Sequence, residues 1–259
     1  MGVLAMIDTK ALAYVNMYGV LGALENLCQL DDQAQAVLAA MKKPVSLCFS
    51  VKEGPCCTFH FTREGCRMTE GEEGCTCKMS FKSAEAFNDL IDKSKPGMPS
   101  KNPVQVLAFL LGPFTKLTDR LNEILRPSEE AMQDRAFFEK STTLTLYTIA
   151  GAISALANHD PISKVSADYT VDGDISLGIK DTAYITLQVK DKHFTTVKQR
   201  CENPRAIMEF ADLDLAAGLF AGKVSTINEL CKGTIRLRGM ISMLDNVNRI
   251  LDRVSVYLG

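Results

Sequence analysis

DRLNEIL (Asp119–Leu125) and DNVNRIL (Asp245–Leu251) spell Asp-x-x-Asn-x-Ile-Leu twice in one chain of 259 residues. The surroundings echo as well. YGVLGALENL begins at Tyr18 and YTIAGAISAL at Tyr147; FKSAEAFNDLI begins at Phe81 and FADLDLAAGLF at Phe210, and both pairs lie 129 residues apart. Val51-Lys52-Glu53 stands opposite Ile179-Lys180-Asp181, and Gly112 and Leu117 opposite Gly239 and Leu244. A period of this length describes a domain, since solenoid repeats run about 20–50 residues. The pattern reads as a tandem duplication, with one repeat over 1–129 and a second over 130–259.

Within the quoted stretches, Leu117, Leu121, Ile124 and Leu125 form an apolar stripe at helical spacing, and Leu244, Val247, Ile250, Leu251 and Val254 form another. Asp and Asn, three apart, share the other flank. A catalytic or metal pair at Asp245 and Asn248 lacks a histidine or second carboxylate at helical spacing. The motif therefore reads as a fold signature, its polar pair fixing the first turn or a neighbouring loop.

With 46% hydrophobic and 23% charged residues, the chain has ample material for two cores. A net charge of −2 without long single-sign blocks points away from nucleic acid. MGVLAMID has no basic region ahead of a long apolar run, so no secretory signal is expected. The longest apolar stretches, NPVQVLAFLLGPF and LTLYTIAGAISALA, fall short of the roughly 20 residues a spanning helix needs. The expectation is a cytoplasmic protein without a membrane span.

Seven of the nine cysteines lie in the first half. An odd count and no export signal argue for reduced thiols. A metal site built from Cys56, Cys57, Cys66, Cys75 and Cys77, with His60, is disfavoured: neighbours in a strand point to opposite faces, and C-T-C is a poor zinc spacing. No metal and no cofactor are expected.

Residues 10–28 and DDQAQAVLAAM read as helices, the second opened by an aspartate cap. PVSLCFSV, CCTFHFT and CTCKMSF alternate as strands, with a turn at Arg63-Glu64-Gly65. Helices follow at 84–91, 103–111 and 114–125, the first two separated by KSKPGMPSKNP. In the second half a helix over about 141–158 is stopped by HDP at Pro161. Val165, Ala167, Tyr169 and Val171 then read as a strand leading into an Asp172-Gly173 hairpin. Strands at 175–179, 185–189, FTTVKQR and RAIMEF continue the meander, before a helix at 213–220, the strand TIRLRG and a final helix near 242–257. RPSEEAMQDR links the halves. Each half is α+β, an antiparallel-rich sheet covered on one face by helices.

The run FADLDLAAGLFAGKVSTINELCKGTIRLRG (210–239) resembles the C-terminal part of the sterol carrier protein family of lipid-binding domains. The matching pieces are Phe210-Ala211-Asp212, Leu213 to Phe220, the Gly222-Lys223 turn, Gly233-Thr234-Ile235-Arg236-Leu237 and the helix from Leu244 to Val254. The preceding DGDISLGI and AYITLQVKDKHFTTV are similar to the family's sheet, and the likeness spans about residues 163–258. It reaches the first half by way of the duplication. There the Gly-Lys turn becomes Lys93-Ser94-Lys95-Pro96-Gly97, VQVLAFLLG stands against TIRLRG, and DDQAQAVLAAM against the strand-like SKVSADYTV.

The resemblance implies two tandem sterol-carrier-like repeats and an apolar cavity between sheet and helices for a fatty acyl chain, sterol or acyl-CoA-like ligand. Cavity candidates are Phe109, Leu110, Phe114 and Leu117 in the first repeat, and Leu219, Phe220, Ile241, Met243 and Leu244 in the second. Lys223, Arg236 and Arg238 are the head-group candidates. Eleven methionines suit a wall that adapts to varied ligands. The alternatives are a protein-interaction module with a filled core, and a thiol-dependent enzyme or metal-thiolate protein. No G-x-S-x-G, H-E-x-x-H, P-loop or dinucleotide fingerprint is present, and His60, His159 and His193 sit in unlike settings, so no enzyme is expected. The partner expected is a small hydrophobic molecule, with room for a protein partner and a monomeric pseudodimer carrying unequal pockets.

Overall fold

Apolar residues at helical spacing carry the chain through one helical run from Thr9 to Leu30. A computed structural model describes residues 6–93 and 107–258. These divide into two compact units, one of residues 8–140 and the other of residues from 141 onward with Met6 and Ile7.

In the first unit, Asp8 caps α1 (Thr9–Tyr14), its Oδ1 accepting from the Ala11 N–H at 2.8 Å. A π turn (Val15–Val20) and a 3-10 turn (Leu21–Ala23) lead into α2 (Leu24–Leu30). Asp31 then caps α3 (Asp32–Ala39). Four strands follow: β1 (Val45–Val51), β2 (Cys56–Phe61), β3 (Cys66–Glu70) and β4 (Cys77–Phe81). They lie in the order β3-β2-β1-β4, antiparallel except that β4 runs parallel to β1. Period-two alternation buries Leu47, Phe49, Phe59 and Phe61 on one face. Phe49 meets Phe59, Phe87 and Phe114 at ring separations of 5.9, 6.3 and 5.9 Å, so this core is aromatic. After α4 (Ala84–Lys93), a π turn (Leu110–Phe114) takes in Pro113 and opens α5 (Thr115–Leu125).

α6 (Arg135–His159) runs into the second unit, where α7 is Pro161–Asp168. The sheet there is β5 (Gly173–Ile179), β6 (Ala183–Lys190), β7 (His193–Val197), β8 (Ala206–Phe210) and β9 (Ile235–Gly239), in the order β7-β6-β5-β8-β9. β8 is parallel to β5 and the other neighbours are antiparallel. α8 (Leu213–Phe220) and α9 (Thr226–Lys232) separate β8 from β9, and α10 (Ile241–Leu258) closes the chain. This core is mainly aliphatic, with Ile153, Leu156, Ile175, Ile179, Ile185, Leu187 and Ile250 all fully buried.

The two units share details beyond element order. Glu53 (φ 56°) and Asp181 (φ 57°) both take the left-handed conformation just after the first strand of their sheets. The preceding lysine N–H bonds across to the parallel strand in each: Lys52 to the Phe81 carbonyl at 3.0 Å, Lys180 to that of Phe210 at 2.9 Å. Asp31 and Asp160 both cap the helix that follows the long opening helical run of their unit, and both are buried.

Several expectations require correction. Residues 161–168 are the helix α7, not a strand, so DDQAQAVLAAM and its counterpart are alike. The alternation of Val165, Ala167, Tyr169 and Val171 is overridden because Asp160 and Pro161 form a helix start: the Asp160 carboxylate accepts the Ser163 N–H at 2.9 Å and Pro161 sits where its missing N–H costs nothing. HDP thus ends one helix and begins the next. Asp172-Gly173 leads into β5 and closes no hairpin. The simple meander is also replaced, since the fourth strand of each sheet crosses to lie parallel to the first. In VQVLAFLLG, residues 107–109 are helical and the π turn follows, and no strand matches β9 among the described residues; residues 103–106, like most of KSKPGMPSKNP, lie outside them. α9 was not foreseen. Asp245 pairs with Arg249 one turn on, at 3.0 Å and exposed, and fixes neither a first turn nor a loop.

Candidate functional site

The cavity candidates of the first unit belong to its aromatic core. Phe109 and Phe114 stand 5.2 and 6.1 Å from the Phe61 ring and 6.1 Å from each other; Phe109, Leu110 and Leu117 are buried and Phe114 half-buried. In the second unit the candidates part company. Met243 and Leu244 are fully buried in α10, Leu219 and Phe220 are half-buried in α8, and Ile241 is 56% exposed. Phe220 sets its ring edge-on against Phe210 at 5.9 Å. α8 is apolar on nearly every side (LDLAAGLF), yet only Leu213 and Ala216 are buried. Leu230 in α9 and Leu237 in β9 are likewise half-buried, and Ile227 is 72% exposed. An all-round apolar helix ordinarily sits in a core. Here much of that apolar surface has no cover from the described residues.

The head-group candidates are exposed, and two of them come together. Register places Arg236 opposite Glu209 and Arg238 opposite Ile207, on the same face of the sheet. This face is the reverse of the one bearing Met208 and Phe210, because neighbours in a strand alternate. A hollow of about 480 Å³ opens there, lined by both arginines together with Arg200, Tyr184, Ile207 and Glu209. Lys223 does not line it.

Local sequence explains its shape. Gly178 lacks the side chain that would strike the Tyr184 ring at 2.2 Å, so the ring lies across the strand and its hydroxyl donates to Glu209 Oε2 at 2.9 Å. Arg236 Nη1 approaches Glu209 Oε1 at 3.4 Å. The Arg200 guanidinium stacks over the Tyr184 ring at 4.3 Å. The segment carrying Arg200 is pinned to the sheet: Thr186 donates to the Gln199 carbonyl at 2.7 Å, Cys201 to Asp174 at 3.3 Å, and the Arg205 N–H to the Asp174 carbonyl at 2.8 Å. Burial, then the Glu209 hydrogen bond and charge, push the Tyr184 phenol up, holding it as a donor. Tyr184, Arg200 and Glu209 were not candidates from sequence; the signal is the glycine at 178, whose partner only register reveals.

A second, more open hollow lies on the first sheet, lined by His60, Thr69, Arg67 and Glu73 among others. His60 is held between the hydroxyls of Ser46 (2.9 Å) and Thr69 (3.0 Å), so it acts as a bridge across three strands. Cys56 and Cys57 point to opposite faces, Cys57 buried and Cys56 half-buried with its Sγ 3.9 Å from that of Cys48. Burial pushes the Cys48 thiol up to about 12 and that of Cys77 to about 11. Among the described residues no group of three or more His, Cys, Asp or Glu is arranged to hold a metal ion, and no helix is long and apolar enough to cross a membrane.

The two capping aspartates form closed ion-pair networks. Burial acts to raise the Asp31 carboxyl, but Arg120 (2.9 Å), Lys140 (2.7 Å) and the Ala34 N–H outweigh it and bring it to about 2. Asp160 is opposed by burial and lowered by Arg253 (3.3 Å), Ser163 and Tyr257 (2.9 Å). Every acceptor there is answered from the protein, as in a structural brace.

No protein-family model matches the chain, and no curated protein does. Among solved structures, the apo sterol carrier protein 2 from Yarrowia lipolytica aligns at 15% identity over 43% of this chain and 91% of its own, with a TM-score of 0.34. A palmitated sterol carrier protein from Aedes aegypti aligns at 17% identity over 40% and 90%, TM-score 0.31. A sec-alkylsulfatase from Pseudomonas sp. aligns at 10% identity over 56% of this chain and 29% of its own, TM-score 0.29. At these scores the likenesses carry no argument about this chain, which folds as two α+β units, each with its own mixed sheet.

Proposed function

We propose that the protein binds, without chemistry, a lipid or other hydrophobic molecule on the helix-covered side of its second sheet. The observation that carries this is α8: an all-round apolar helix of which only Leu213 and Ala216 are buried. Covering the half-buried Leu219, Phe220 and Leu237 with an acyl chain would gain about 0.8 kcal/mol per methylene buried. The sequence resemblance of 210–239 to sterol carrier proteins points the same way. The chain is on this reading a tandem duplication whose first repeat has filled its cavity with phenylalanine: Phe109 and Phe114 occupy the space that a ligand takes in the second. Neither unit is assigned a catalytic residue or a cofactor, and the protein is placed in the cytoplasm.

Native mass spectrometry of the purified chain, followed by denaturing extraction, tests this. A discrete added mass that resolves to a lipid supports the reading. A clean apo mass with no uptake of added fatty acid or acyl-CoA overturns it and favours a protein-docking role for the exposed apolar residues.

A further inference from the structure

We infer that the arginine-lined hollow on the open face of the second sheet is a binding site for a phosphate monoester. It lies on the reverse of the face proposed for lipid and does not rest on that proposal.

The argument begins with charge that is not spent. The chain carries a net charge of −2, yet three arginines line this hollow against two carboxylates, Glu202 and Glu209. Glu209 is committed to the Tyr184 hydroxyl and to Arg236. The Arg238 guanidinium makes no hydrogen bond or ion pair with the described residues, and that of Arg200 engages the π face of Tyr184, which leaves the N–H edges of both for a ligand. Guanidinium forks match phosphate oxygens in pairs, which a point charge such as lysine does not. Tyr184 and Ile207 give the hollow an apolar wall, and about 480 Å³ is within the range of small-molecule sites.

The site is also set in advance. Arg200 is oriented by stacking and by the pinned segment 199–205, and the backbone that carries Arg238 is fixed by the pairing of β9 with β8 and its close approach at Gly239. Gly239 has φ 82°, and a Cβ there would fall 2.1 Å from the Arg205 carbonyl oxygen. The Arg200 guanidinium is therefore in position before a ligand arrives, which lowers the ordering cost of binding. The phosphate is either that of a soluble ester or that of a lipid head group.

Titration calorimetry of the full chain at low ionic strength, with glycerol 3-phosphate and with glycerol as the uncharged control, tests the proposal alongside sedimentation with phosphatidic acid vesicles against phosphatidylcholine vesicles. Saturable binding of either phosphate probe is expected, weakened about tenfold in R200Q and in R238Q and lost in the double variant. These positions are exposed, so the variants keep the wild-type urea midpoint. Binding confined to the ester assigns a soluble ligand, and binding confined to phosphatidic acid vesicles a lipid head group. Failure of the wild type to bind either probe, or wild-type affinity in the double variant, overturns the proposal. A phosphate-free lipid found by mass spectrometry leaves this result unaffected, so the two proposals fail separately.

Discussion

The two units answer one backbone plan with different side chains. Both sheets cross their fourth strand to lie parallel to the first, both turn on a left-handed residue after the first strand, and both cap the helix before the sheet with a buried aspartate. In the first unit the space under the sheet is filled by Phe49, Phe59, Phe61, Phe87 and Phe109, all buried. In the second the strands carry Ile and Leu, and α8 is left half covered. The aspartates differ too. Asp31 has two cationic partners, Arg120 and Lys140, whereas Asp160 has Arg253 and the neutral Tyr257 and Ser163. A plan set by backbone hydrogen bonds thus survives changes in what packs on it.

Removing the charge partners should expose that difference most strongly. R253M leaves Asp160 buried with no cation and is expected to cost about 3–5 kcal/mol in urea unfolding, while R120M leaves Lys140 on Asp31 and costs about 2 kcal/mol. Equal losses would break the comparison. Core truncation sharpens it from the other side: F49A should cost about 3–5 kcal/mol, because the ring is fully buried among others, and F220A about 1 kcal/mol, because its ring is half exposed. F220A should nonetheless weaken uptake of a fatty acid, read by native mass spectrometry.

Acid should act next. Asp31 in the folded state titrates at about 2, below the roughly 3.9 of an unfolded chain, so its contribution of about 2 kcal/mol is intact above pH 4 and is lost as pH falls toward 2. In D31N this part of the acid dependence disappears; a wild-type slope in D31N would refute the assignment. A modest effect concerns the open face of the second sheet. G178A places a methyl group against the Tyr184 ring and should cost about 1–2 kcal/mol by turning the phenol away from Glu209. The Tyr184 fluorescence or its ring NMR signals would report that movement.

Much of this architecture was legible from residues alone. The helix 213–220 is found where apolar density places it, and His60 lies on the polar face that its alternation with Phe59 and Phe61 assigns. The failures have a common cause. Val165 to Val171 alternates like a strand, but the aspartate-proline start before it commits the backbone to a helix, since the Asp160 carboxylate satisfies the Ser163 N–H of the first turn and Pro161 fits its first position. The apolar lining candidates were equivalent as letters, and only packing separates fully buried Met243 from 56%-exposed Ile241.

The sequence by itself determined most of the local elements and the face each strand residue takes, because these depend on periods of 2 and 3.6 residues and on caps within one turn. Tertiary structure decided what register controls. Strand pairing brings Arg236 and Arg238 beside Glu209 and Ile207, and lays Tyr184 over Gly178 from the next strand. It also selects the arginine that reaches each capping aspartate, 89 residues on for Asp31 and 93 for Asp160. Such partners are chosen by the closing of long loops around a packed core, and no local pattern in the chain records that choice.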